Sequence, residues 1–224
     1  MRPVHLTGAC WISGGAWGGL RHGGPPGFVP GKAPLPALEG AFPKPLARWG
    51  RFDDFTRLGC AAAGLALKDA GFSALQEPGT GMVVGSRYET LRTDREFNAS
   101  SLPEGGMLAS PNLFSYTLPV IVLGECAAGF NLTGPAFCVG EEGGQGLQAL
   151  RAALLMLDSG KARRMIAGWI ESPPGDQAAG AVCAILEMEP ADLARSAGLL
   201  TGPAPHFRPQ GGGERLVRSL SDLF

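Results

Sequence analysis

Between Leu147 and Leu157 only Gln148 and Arg151 are polar, so a helix over this segment is apolar nearly all round. A helix of that kind is covered on more than one side. It follows the apolar run Ala136-Phe137-Cys138-Val139 and the glycine-rich turn Gly140-Glu141-Glu142-Gly143-Gly144, and Gly160 stops it. Residues 165–169 then form another short apolar run. A buried strand, a turn, a helix over about 145–158 and a second buried strand make a βαβ unit. One sheet covers only one side of its helix, so a second layer is expected, from an ordinary three-layer domain or from another chain.

The same alternation runs through the rest of the chain. Residues 51–70 place Phe52, Phe55, Leu58, Ala62, Leu65 and Ala66 at helical spacing, and Gly71 stands where a C-terminal cap belongs. Residues 3–7 and 81–85 read as strands, with Gly79-Thr80 turning into the second, and 181–186 as a third. Residues 87–97 are a polar helix or loop, and 118–130 a helix, being too long and apolar for an ordinary strand. Between 13 and 45, 16 of 33 positions are Gly or Pro, which predicts a long loop. Residues 201–213 have the same bias and are expected to be mobile, and 215–224 fit a short terminal helix. The pattern is α/β, layered, with one domain over 1–190, its long loop at 13–50, and a partly mobile tail over 191–224.

Composition narrows the partners. Of 224 residues 45% are apolar and 17% charged, against a usual charged fraction of about 25%, which points to surface buried against a partner. The net charge of -1 leaves no electrostatic footprint for nucleic acid. Cys10, Cys60, Cys126, Cys138 and Cys183 are odd in number and widely spaced, which reads as reduced thiols with neither disulfide nor metal, and no cofactor motif stands out. The glycines of the 140–146 turn lack the Lys-Ser/Thr of a phosphate loop. No signal-like apolar segment opens the chain and no run approaches the ~20 residues of a membrane span, so a cytoplasmic protein is expected.

Three segments carry a resemblance. RFDDFTRLGCAAAGLALKDAG (51–71), SPNLFSYTLPVIVLGECAAGFNLTGP (110–135) and FCVGEEGGQGLQALRAALLMLDSGKARRMIAGWIES (137–172) occur in the order and at the spacing of β-ketoacyl synthases. They resemble that family's first long helix, the loop and helix before its active-site strand, and its strand, nucleophile elbow, central helix and following strand. The resemblance implies a thiolase-like fold, whose complete form stacks two βαβαβ halves with the central helices between two sheets. This chain is expected to supply one half.

The family's nucleophile is a cysteine at the N-terminus of the central helix, where exposed N–H groups and the helix dipole stabilise a thiolate. The match puts Gly143 there, between Glu141, Glu142 and Gly144, so no catalytic residue is expected. The family's two histidines and lysine lie in its second half, and the one histidine after Gly143 is His206. Cys138 reads as an inert core thiol, and Glu141 and Glu142 as capping and dipole partners of the helix rather than an acid/base pair. His5 and His22 are expected to be structural.

The elbow is similar to that of cysteine-less chain-length factors, which pair with an active synthase and shape the tunnel in which the chain grows. The resemblance therefore implies a non-catalytic subunit of that type, partnered by an active β-ketoacyl synthase and, through it, an acyl carrier protein. Its setting would be type II fatty-acid-like or polyketide/aryl-polyene-like biosynthesis. Phe114, Tyr116, Leu118, Val120, Ile121, Phe137 and Cys138 are the expected interface and tunnel residues, in a hetero- or homodimer. Two other readings stand beside it: a small acyl-transfer or hydrolytic enzyme on a half-thiolase fold, and a self-associating acyl-binding or structural protein.

Overall fold

The computed structural model describes residues 2–21, 46–72, 74, 77–143, 145–175, 177–202 and 204–224. His22, Gly144 and residues 22–45 of the expected 13–45 loop lie outside them. Five strands build the centre of the sheet. β1 (Val4–Ser13), β3 (Thr80–Ser86), β4 (Ala136–Gly140), β5 (Arg164–Glu171) and β6 (Gly180–Glu187) lie in the order β4-β3-β5-β6-β1. β3 is parallel to β4 and β5, and β6 runs antiparallel between β5 and β1.

Strand alternation sends neighbouring side chains to opposite faces. Met82, Val84, Ile166 and Ile170 enter one core, and Val83, Met165, Ala167 and Trp169 enter the other. β1 changes parity part-way, because a bulge between Leu6 and Gly8 lets both Leu6 and Ala9 face the second core. Gly8 also explains the absence of a side chain there: a Cβ would lie 2.5 Å from the Ala70 backbone nitrogen and 2.7 Å from the Ala66 carbonyl oxygen.

α1 (Asp54–Asp69) and α4 (Ile121–Phe130) fill the first face. α1 starts where the Asp53 carboxylate accepts the Thr56 N–H at 2.9 Å, three residues later than the periodicity alone suggested. It stops at Gly71, whose φ of +87° suits glycine, with the Phe72 N–H returning to the Leu67 carbonyl. α4 begins at Ile121 rather than at 118, and ends on Asn131 in the left-handed region. α2 (Leu91–Ser101) is the polar helix and buries only Thr93 in its length; the single-turn α3 (Pro111–Phe114) follows.

α5 (Leu147–Asp158) covers the second face with Ala149, Leu150, Ala153, Leu154 and Leu157. The sequence pattern predicted cover on more than one side. Instead Gln148, Arg151 and Leu155 form one outward stripe, and Leu155 is 57% exposed. Among the described residues one sheet packs on the helix.

Two stretches read as loop carry strands. β2 (Ala16–Gly19) pairs with β1 inside the glycine-rich segment; a Cβ on Gly18 would fall 2.6 Å from the Trp11 ring nitrogen, so the indole lies where a side chain would have been. Where the pattern suggested a loose tail, β7 (Gly198–Thr201), β8 (His206–Pro209) and β9 (Arg215–Leu216) extend the sheet beyond β1. The expected helix over 215–224 is reduced to a 3-10 turn at Leu220–Leu223, because β9 takes Arg215 and Leu216, and Leu220 and Leu223 bury themselves in the second core.

Candidate functional site

The elbow between β4 and α5 is held by one carboxylate. Glu141 is buried, and its Oε1 accepts the backbone N–H groups of Gln148 at 2.8 Å and Ala149 at 3.1 Å. These belong to the first turn of α5, whose N–H groups have no partner inside the helix. Gly146 precedes the helix at φ +84°, and a Cβ there would strike Leu220, so glycine serves both the turn and the packing. Glu141 thus acts as the cap expected from sequence. Glu142 points outward and is exposed. Gly143 is exposed as well, with none of the described residues within 4 Å of where a Cβ would stand.

Beside the elbow lies a cleft of about 260 Å3, walled by Arg87, Tyr88, Glu141, Gly143, Gln145, Trp169, Glu171, Gln177 and Ala178. Glu171 ends β5 and is buried. It accepts the N–H groups of Arg87 and Tyr88 and the Ser86 hydroxyl, and so ties the segment after β3 to the end of β5. Burial raises the pKa of Glu171, against those hydrogen bonds, which lower it. Burial likewise raises that of Glu141, opposed by the two helix N–H groups and reinforced by the charge of Glu171. The Oε2 atom of Glu141 is buried without a hydrogen-bond partner among the described residues. Among the described residues, this wall contains no Cys, Ser, Thr, His or Lys; its titratable side chains are Arg87, Tyr88, Glu141 and Glu171. The described residues also hold no group of three or more His, Cys, Asp or Glu placed to bind a metal.

Glu171, Arg87, Tyr88 and Trp169 escaped the sequence reading. The one usable signal was a glutamate closing the otherwise apolar strand 165–171.

The expected interface residues divide into two groups. Phe114, Leu118 and Val120 are 63%, 59% and 49% exposed, and the Phe114 ring rests on Phe97 with centroids 5.3 Å apart. Ile121 is half-buried against the first core. Tyr116 turns inward: it is buried beside Phe52, and its hydroxyl donates to Glu125 Oε1 at 3.4 Å. Phe137 and Cys138 sit on β4, facing opposite cores and half-buried. The Cys138 thiol is pushed up to about 11, by burial first and then by the charge of Glu89. It is therefore a poor nucleophile near neutral pH. His5 Nδ1 is paired with the Ser196 hydroxyl at 3.0 Å and His206 Nδ1 lies 2.8 Å from the Ala204 carbonyl, both away from the elbow.

Residues 29–196 match the model of the β-ketoacyl synthase N-terminal domain. The chain belongs to that family. Solved synthase structures share the thiolase-like fold, of which this synthase-family chain holds roughly one half. The ishigamide ketosynthase/chain length factor aligns with a TM-score of 0.66 at 19% identity, over 89% of this chain and 66% of the other. A β-ketoacyl synthase from Burkholderia phymatum STM815 gives 0.63 at 18% identity, over 90% and 64%. The chain thus spans about two thirds of the length of these synthases. A structure of a ketosynthase (ApeO) in complex with its chain length factor (ApeC) from Xenorhabdus doucetiae gives 0.63 at 16% identity, over 85% of this chain and 81% of that one. The chain matched there is comparable in length to this one. No curated protein matches the sequence. No helix among the described residues is long and apolar enough to cross a membrane.

Proposed function

We propose that this chain is a non-condensing, chain-length-factor-type subunit that pairs with an active β-ketoacyl synthase in type II fatty-acid-like, polyketide or aryl-polyene-like biosynthesis. The observation that carries the reading is the elbow. The family resemblance puts Gly143 at the nucleophile's place, and N–H groups of the first helical turn, which would favour an anion, are engaged by Glu141. A synthase built this way has no thiol to acylate, and its anion-stabilising end is filled by its own carboxylate. The structural neighbours described as ketosynthase and chain length factor support the choice of partner. An acyl carrier protein would be engaged through that partner; one neighbour is itself a complex of a ketosynthase with its type II acyl-carrier protein.

The surface supports association. Six of the ten large apolar side chains exposed among the described residues fall between 102 and 120: Leu102, Met107, Leu108, Phe114, Leu118 and Val120. Beyond α4, β4 pairs only with β3 among the described residues and ends the sheet. An apolar edge strand is a template for another chain unless something covers it. A synthase that covers both the ridge and the strand would bury an area of the ~1,200–2,000 Å2 that stable interfaces remove. Mass measurement by light scattering, alone and after co-expression with active synthases of the same organism, tests this. A one-to-one complex with a synthase is expected. A chain that stays monomeric with every synthase overturns the pairing, and a homodimer indifferent to synthases favours a self-associating protein.

A further inference from the structure

Four of the five cysteines meet in the first core, and the proposed function uses none of them. Cys60 on α1 and Cys126 on α4 are fully buried, with their sulfurs 3.5 Å apart. Cys10 and Cys183 face each other across β1 and β6 in the same core. All five thiols are free.

The close contact has a cause in the neighbouring residue. Gly59 lies where α1 and α4 cross, and a Cβ on it would clash with Val122 of α4 and with Ile170 of β5. Without a side chain at 59 the two helices approach closely, and the next position on α1 brings its sulfur against Cys126. A disulfide needs the sulfurs at about 2.05 Å. The remaining gap is about 1.5 Å, the difference between that bond length and the observed 3.5 Å separation.

We propose that Cys60 and Cys126 are a redox latch, which a low-molecular-weight disulfide oxidises to a covalent link between α1 and α4. In the first step one cysteine, as thiolate, attacks a sulfur of the reagent; a mixed disulfide forms and one reagent thiolate leaves. In the second the other cysteine attacks the protein sulfur of that mixed disulfide, and the second reagent thiolate leaves. The protein loses two hydrogens and the reagent becomes two thiols, so electrons and protons balance. The Cys126 thiol is held well above its ordinary pKa, first by its hydrogen bond with Cys60 and then by burial, so attack from the closed core is slow. Exchange therefore proceeds through partial lifting of α4, and the finished bond holds the helix down. The link closes a loop of 66 residues and should raise resistance to unfolding.

α4 lies between the apolar ridge and β4 in the chain, so under the proposed function the latch would also fix the frame of the partner-facing surface; the disulfide itself does not depend on that reading. The test exposes the full chain to oxidised glutathione at pH 8.5, in buffer and in sub-denaturing urea, followed by thiol counting, intact mass, non-reducing peptide mapping and a urea unfolding curve. The expected result is a fall from five free thiols to three, a single Cys60–Cys126 peptide and a higher urea midpoint. Cys60→Ala and Cys126→Ala should each abolish the link. Five free thiols after exposure in sub-denaturing urea, a glutathione adduct that never resolves, a link through another cysteine, or an unchanged or lower midpoint would overturn the proposal. The wild-type peptide map decides the matter even if one alanine variant fails to fold.

Discussion

Placing a thiol at the elbow with Gly143→Cys should give an unreactive cysteine. The site accepts the side chain, since none of the described residues lies within 4 Å of a Cβ at 143 and its φ is outside the left-handed region. At an open helix N-terminus a thiol pKa falls from about 8.5 into the range of about 3.5–7.5. The field responsible is equivalent to about half a positive charge. Here the Glu141 carboxyl already occupies it, through the 2.8 and 3.1 Å bonds from Gln148 and Ala149, and repels a thiolate whenever it is ionised. Two like charges repel by about 4 kcal/mol at 4 Å with an effective dielectric near 20, and by about 2 kcal/mol at twice that distance. The larger distance alone corresponds to about 1.5 pK units, which offsets a fall at the small end of that range, and the shorter one to about 3. The introduced thiol is therefore expected to titrate at about 8.5 or above. Rates of iodoacetamide alkylation against pH, followed on the peptide carrying position 143, measure it. Adding Glu141→Gln removes the charge at nearly constant shape and should lower the thiol pKa by at least about one unit. A thiol that titrates below 7 with Glu141 intact would refute the view that the carboxylate fills the anion site.

Three other outcomes follow from the same geometry. Glu141 has a folded-state pKa raised above the ordinary value of 4.5, so the native state holds its proton longer than the unfolded chain does. Its contribution to stability is complete below pH 4.5 and is lost as pH rises through the folded value; urea curves at several pH values should fall less steeply over that window in Glu141→Gln than in wild type. Leu118→Asp and Val120→Asp should leave the urea midpoint of the isolated chain nearly unchanged, within about 0.5 kcal/mol, because both side chains are exposed, while abolishing co-purification with a synthase. Gly8→Ala should destabilise by about 2 kcal/mol in urea unfolding, since its Cβ would press on the Ala70 backbone and only backbone movement relieves that.

The parts of the fold legible in sequence are those where local pattern and tertiary role agree. α1 announces itself by spacing and Gly71, and β3, β5 and β6 by short apolar runs. β2 and β7–β9 were hidden because their residues, Gly and Pro among them, have little strand preference of their own; pairing with β1 and its neighbours imposes the strand. On the outer face of α5, Leu155 looks like a core residue, and hydrophobicity alone does not report whether the layer that covers it comes from this chain or from another. At the elbow a capping carboxylate was visible, though the sequence offered Glu141 and Glu142 together and only Glu141 accepts from the first turn of α5. Glu171 was not visible, because its partners Ser86, Arg87 and Tyr88 are more than 80 residues away and only the sheet brings them together.

The central claim is that this chain contributes to condensation without performing it. The direct measurement is carbon–carbon bond formation from acyl- and malonyl-carrier proteins by the chain alone, by an active synthase alone and by the two together, with product length read by mass spectrometry. No product from the chain alone, and a changed yield or chain length when it joins the synthase, is the predicted result. Turnover by the pure chain that survives alkylation of all its thiols, or a synthase whose products are indifferent to its presence, would contradict it.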